Sequence, residues 1–97
     1  MSFSVAENSL NAVQKIIEKY FHALELEGPS GMRSQCYSTI DNECRFVHIK
    51  SFRKEPAAKK HFNSACFRHY VEELKKICQG QLGFARLEQL ESFESIY

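Results

Sequence analysis

Two spacings of apolar residues alternate along this chain, and each change of spacing marks a new element. Phe3 and Val5 alternate with Ser2 and Ser4, which predicts a short strand from Phe3 to Ala6. The spacing then lengthens. Leu10, Val13, Ile16, Ile17, Tyr20, Phe21 and Leu24 fall three and four apart and form the apolar stripe of a helix, while Lys15, Glu18, Lys19, His22 and Glu25 fill its other side. Asn8 or Ser9 would cap its first turn, and the Gly28-Pro29-Ser30-Gly31 turn would end it by Glu27.

Period two returns from Met32 to Thr39. A turn at Asp41-Asn42-Glu43 leads into the clearest strand, Arg45 to Phe52. There Phe46, His48, Lys50 and Phe52 share one face, and Val47 and Ile49 the other. Pro56 suits the first turn of a short helix running to about Phe62. Ser64 then caps a further helix whose inner stripe is Phe67, Tyr70, Val71, Leu74, Ile77 and Cys78, with Gly80 as its stop. A last strand is expected from Ala85 to about Phe93.

The resulting order, β-α-β-β-α-β with a kinked second helical region, predicts one α+β domain over residues 1–97. Its arrangement would be ferredoxin-like, an antiparallel sheet with the helices on one face. Apolar residues on both faces of the Arg45–Phe52 strand predict that the helix-free face packs on a second copy. Two sheets so packed make a homodimeric α+β barrel. The brief first strand also leads us to expect further residues upstream.

Composition narrows the partners. The net charge of +1 is spread along the chain, so the footprint of a nucleic-acid binder is missing. Charges interrupt every apolar run, which predicts no membrane span. MSFSVAENSL lacks the basic and apolar regions of a secretory leader, which points to the cytoplasm. Cys36, Cys44, Cys66 and Cys78 are then expected as free thiols, and their spacing matches no zinc framework.

The candidate chemistry is sparse. His61 follows Ala57 and Ala58 by four and three residues, so it points with the apolar stripe toward the sheet. It reads either as a general base lining a pocket or as a core histidine tied to the backbone. Tyr70 lies on the next inner stripe and could line the same pocket. His48 and Lys50 on one strand face imply a wet cavity or an exposed rim. His22 and His69 fall on helix flanks, and no His, Cys or carboxylate spacing makes a metal site.

The stretch H-F-N-S-A-C-F, with Tyr70 close behind and R-F-V-H-I-K-S-F before it, resembles the antibiotic biosynthesis monooxygenase family, described also as quinol monooxygenase-like. In that family a helix reading His-x-x-Ser-x-x-Phe follows the third strand; His61, Ser64 and Phe67 match it. The resemblance covers roughly Gly31 to Phe93, and the first helix extends it. It implies a dimeric ferredoxin-like fold with a small-molecule pocket between sheet and helices, and no metal or flavin cofactor. His61 would be the catalytic base, and Phe46, His48, Phe67 and Tyr70 would bind an aromatic or quinol-type substrate.

Lys50 and Phe52 stand where the family often carries Glu and Trp. Haem-degrading members carry Trp at the position of His61 and a ligand His where this chain has Val71, so haem degradation is not expected. Two alternatives fit the same residues. One is a dimeric binding module without chemistry; the other is an isomerase of a small keto sugar phosphate, clamped by Lys50 or Arg45.

Overall fold

The structure, a computed structural model, describes residues 1–95. Strand β1 (Ser2–Val5) leads through a 3-10 turn (Glu7–Ser9) into helix α1 (Leu10–Glu27). Strands β2 (Met32–Ser38) and β3 (Arg45–Phe52) form a hairpin. Helices α2 (Glu55–Phe62) and α3 (Ala65–Ile77) follow, and β4 (Cys78–Gly83) closes the order. The four strands form one antiparallel sheet in the order β2-β3-β1-β4. This is the expected ferredoxin-like α+β fold, with Phe3 and Val5 buried on the helix side of the central strand.

Local chemistry explains most boundaries. The Ser64 hydroxyl accepts from the Phe67 amide at 3.2 Å, as a cap should, and separates α2 from α3. In the hairpin, the Asn42 side chain accepts from the Cys44 amide at 3.0 Å. Gly31 enters β2 at φ +77°, a left-handed conformation that glycine adopts without steric cost. Its carbonyl accepts from the Arg53 amide at 3.0 Å and pins the far end of the hairpin.

Three expectations give way. Neither Asn8 nor Ser9 caps α1 through its side chain; the chain tightens into the 3-10 turn, and the Ser9 amide donates to the Ala6 carbonyl at 2.9 Å. Gly80 is not a helix stop. Helix α3 ends at Ile77, and Gly80 lies within β4 at φ +71°, where the register with β1 shifts between Ser2 and Ser4. The last strand is Cys78–Gly83 rather than Ala85–Phe93. Residues 84–95 have no regular secondary structure. Their large apolar members, Phe84, Leu87, Leu90 and Phe93, recur every third position, so no strand could place all four on one face.

The core consists of Phe3, Val5, Val13, Tyr20, Tyr70 and Leu74, where α1 and α3 pack together over β1. The opposite face of the sheet carries no helix. There Tyr37 is 51% and Ile49 41% exposed, with Val47 half-buried between them in the hairpin register. All four cysteines are free and half-buried. Among the described residues, no helix is long and apolar enough to cross a membrane.

Candidate functional site

Strand alternation directs His48 and Lys50 of β3 toward the helices. From α1 comes Tyr20, from α2 His61, and from α3 Phe67 and Tyr70. These six side chains meet in one cluster between sheet and helices. Its centre is a pair of stacked tyrosine rings, Tyr20 on Tyr70, with centroids 4.0 Å apart and planes within 8°.

Each tyrosine is joined to a histidine. The Tyr20 hydroxyl lies 2.7 Å from His61 Nε2. The Tyr70 hydroxyl lies 3.2 Å from His48 Nδ1, and the other nitrogen of His48 lies 2.6 Å from the Ser34 hydroxyl of β2. Both ring nitrogens of His48 are thus engaged inside the domain. The residue is 1% exposed, so the rim reading of its sequence position does not hold. His61 is 2% exposed and faces inward as its spacing required, with its own carbonyl accepting from the Ser64 hydroxyl at 2.6 Å.

Burial governs the electrostatics. Desolvation, reinforced by the Lys50 charge, pushes His61 down to about 4. The same causes in the same order, with the Met1 ammonium and His61 adding to them, push His48 down to about 3. Both imidazoles are therefore neutral at pH 7. Burial raises both tyrosine hydroxyls far above their usual range, so they stay protonated. Lys50 falls to about 8, again chiefly through burial. Its ammonium stands 5.0 Å from the centroid of Phe67, 5.4 Å from Tyr20 and 5.8 Å from Tyr70.

Two cavities border the cluster at the end of α1. A cavity of about 220 Å³ is lined by His61, Ser64 and Cys66 together with Leu24, Gly28 and Pro29. A neighbouring one, of about 240 Å³, shares Leu24, Gly28 and Pro29 and reaches Ser34 and Met32. Gly28 is a tight point in their common wall. A Cβ there would meet the Leu24 carbonyl oxygen at 2.6 Å. A third cavity, about 250 Å³, lies between α1 and α3 beside Tyr20, Cys66 and Tyr70; it is also lined by Lys19 and His69, which both contact Glu73. Each volume suits a compound of about one ring, since a cavity of roughly 150 Å³ accepts benzene.

Of the residues singled out by sequence, His61, His48, Phe67 and Tyr70 converge. Phe46 sits farther along β3, stacked on Phe3 at 5.3 Å, as a wall of the core. Sequence reasoning missed Tyr20 as the partner of His61, having counted it as one more apolar-stripe residue. It also missed Ser34. The strand alternation that placed His48 inward carries the signal for Lys50, and cross-strand pairing would then give Ser34, which stands opposite Lys50.

The fold and this cluster define a ferredoxin-like domain with an aromatic-walled polar interior. Solved structures share that fold. A candidate antibiotic biosynthesis monooxygenase from Nitrosomonas europaea superimposes with a TM-score of 0.70 at 18% identity, over 82% of this chain and 76% of that one. A Mycobacterium tuberculosis protein gives 0.71 at 16% identity, over 93% of each chain. A candidate monooxygenase from Lactobacillus acidophilus gives 0.69 at 18% identity; the match covers 81% of this chain but only 38% of that longer one. No family model matches the sequence, and no curated protein matches it significantly. The resemblance seen in the sequence therefore holds at the level of the fold.

Proposed function

We propose that the protein is a cofactor-independent monooxygenase acting on a small aromatic or quinol-type compound. The observation that carries this reading is His61: a buried, neutral imidazole that lines a ring-sized cavity and is oriented by the Tyr20 hydroxyl. The neutral imidazole takes the proton of an aromatic hydroxyl, leaving an electron-rich anion that reacts with dioxygen. One oxygen atom stays in the product as a carbonyl, and the other leaves as water with two substrate hydrogens. Phe67, Tyr70, His48 and, more distantly, Phe46 shape the surroundings of the ring. The test is oxygen uptake with a panel of quinols, comparing the wild type with His61→Ala. Loss of uptake in the variant is expected, and equal rates would remove His61 from the mechanism.

A second reading is a binding module without turnover. It is favoured by the closure of His48 on both nitrogens, which leaves His61 as the one histidine of the cluster beside a cavity. Ligand-dependent thermal shifts without product would support it.

The protein acts as a homodimer through the helix-free sheet face. Tyr37, Val47 and Ile49 give that face an apolar centre, and burying them would release surface on the order of a few kcal/mol per protomer. Light scattering at micromolar concentration should return twice the chain mass. Four free thiols fit a reducing compartment, and we place the protein in the cytoplasm.

A further inference from the structure

Only one of the two ring nitrogens of His61 has a partner. Nε2 lies 2.7 Å from the Tyr20 hydroxyl, while Nδ1 has no hydrogen-bond partner among the described residues. Among those residues, no side-chain nitrogen or oxygen of a buried or half-buried residue is at once enclosed and unpartnered. Nδ1 is therefore not enclosed, although His61 as a whole is 2% exposed. The described cavity that His61 lines is the one of about 220 Å³ at the end of α1, so Nδ1 faces that space.

The Tyr20 hydroxyl decides what Nδ1 carries. Tyr20 is 3% exposed, and its hydroxyl meets no acceptor other than His61 Nε2 among the described residues. Its single hydrogen is satisfied only if Nε2 accepts it. A neutral imidazole that accepts at Nε2 bears its own hydrogen at Nδ1. The reverse pattern, with Nε2–H donating to the tyrosine oxygen, strands the hydroxyl hydrogen in the interior. The cost of an unsatisfied buried donor favours the first tautomer about tenfold.

The other polar groups of the cavity leave this pattern in place. The Ser64 hydroxyl is committed on both sides, donating to the His61 carbonyl and accepting from the Phe67 amide. Burial, with the Glu27 charge second, keeps the Cys66 thiol protonated. Glu27 and Lys60 line the same cavity with opposite charges; both are exposed, and neither bonds to His61.

We propose that Tyr20 is a positioning residue that fixes His61 as an N–H donor toward this cavity, so that the resting site takes up a carbonyl oxygen in preference to a hydroxyl hydrogen. This deepens the oxygenase reading and rests on it for one consequence. To take the proton of an aromatic hydroxyl at Nδ1, His61 must first hold its own hydrogen on Nε2, with the Tyr20 hydroxyl turned away. Tyr20 thus orders the steps. A ligand is held first through an acceptor oxygen, and proton transfer waits for the second tautomer.

The test is nitrogen NMR of the full chain labelled in its histidine rings, at pH 7. Protonated and bare ring nitrogens resonate far apart, and averaged shifts give the tautomer populations. His61→Gln identifies the His61 signals by their loss. We expect the wild type to carry the hydrogen on Nδ1, and Tyr20→Phe to show a mixture of both tautomers; a role in packing alone would leave the tautomer unchanged. Calorimetry with acetophenone and α-methylstyrene, which share a shape and differ in a carbonyl oxygen against a methylene group, reads the ligand side. The wild type should prefer acetophenone at least about fivefold, and His61→Ala should lose the preference. A bare Nδ1 in the wild type, or a Tyr20→Phe spectrum equal to the wild type's, overturns the positioning role and leaves the oxygenase reading intact. Equal affinity for both probes, or binding of neither at millimolar concentration, overturns the carbonyl preference. An Nδ1–H tautomer without oxygen uptake on any quinol would remove the oxygenase reading and uphold the role of Tyr20.

Discussion

The interior contains two histidine–tyrosine pairs of the same composition and nearly the same burial, yet their surroundings differ. His48 with Tyr70 sits over the middle of the sheet, and Ser34 closes its second nitrogen. His61 with Tyr20 sits at the end of a short helix, beside the turn that follows α1, where the wall is thin enough to hold a cavity. Location in the fold separates them. The centre of a strand offers partners on every side, whereas a helix terminus leaves one side to solvent or ligand.

Acid should move both pairs together, and this is the largest effect expected. In the unfolded chain each imidazole titrates near 6.5, while in the fold His61 and His48 are held near 4 and 3. The unfolded state therefore binds more protons below pH 6.5, and the stability these residues contribute is lost as pH falls from there. Between pH 7 and pH 5 the loss is about 2 kcal/mol for each histidine. Urea unfolding at pH 7, 6 and 5 measures it. His48→Gln and His61→Gln should each remove one share, and a flat profile would contradict the assigned burial.

Truncation should then part the pairs. His48→Ala opens a hole in the sheet-facing core and strands two hydroxyls, costing about 3 kcal/mol by chemical denaturation. His61→Ala enlarges an existing cavity and should cost only about 1–2 kcal/mol, while abolishing the proposed oxygen uptake. Equal stability losses would erase the distinction drawn here.

The finest probe removes a single oxygen. Tyr70→Phe leaves His48 Nδ1 unpaired in an enclosed position, at about 1–2 kcal/mol. Tyr20→Phe leaves His61 Nε2 unpaired next to a cavity that water can enter, and about 0.5 kcal/mol is expected. A larger loss for Tyr20→Phe would reverse the assignment of the open and closed pairs.

How far the sequence carried these conclusions depended on whether the information was local. Strand β3 and helix α3 were legible because their inner residues repeat at one period and a serine marks the helix start. His61 was legible as inward for the same reason. The final strand was not. Gln79, Gly80 and Gln81 look like a helix terminus, and only pairing with β1 makes Cys78–Gly83 a strand. The partners of His61 and His48 were equally hidden. Tyr20 lies 41 residues from His61, and Tyr70 lies 22 from His48. No spacing rule within one element reports such meetings; they follow from how α1, α2 and α3 lean on the sheet.

Gly28 shows how little is needed to alter the open pair. Its missing side chain lets the backbone pass within van der Waals contact of the Leu24 carbonyl, and two cavities share the wall it forms. A single methyl group at this point would have to displace the last turn of α1. The position therefore sets how closely the chain follows the end of α1, so the wall common to two cavities can be reshaped while every ring, imidazole and ammonium of the cluster stays as it is.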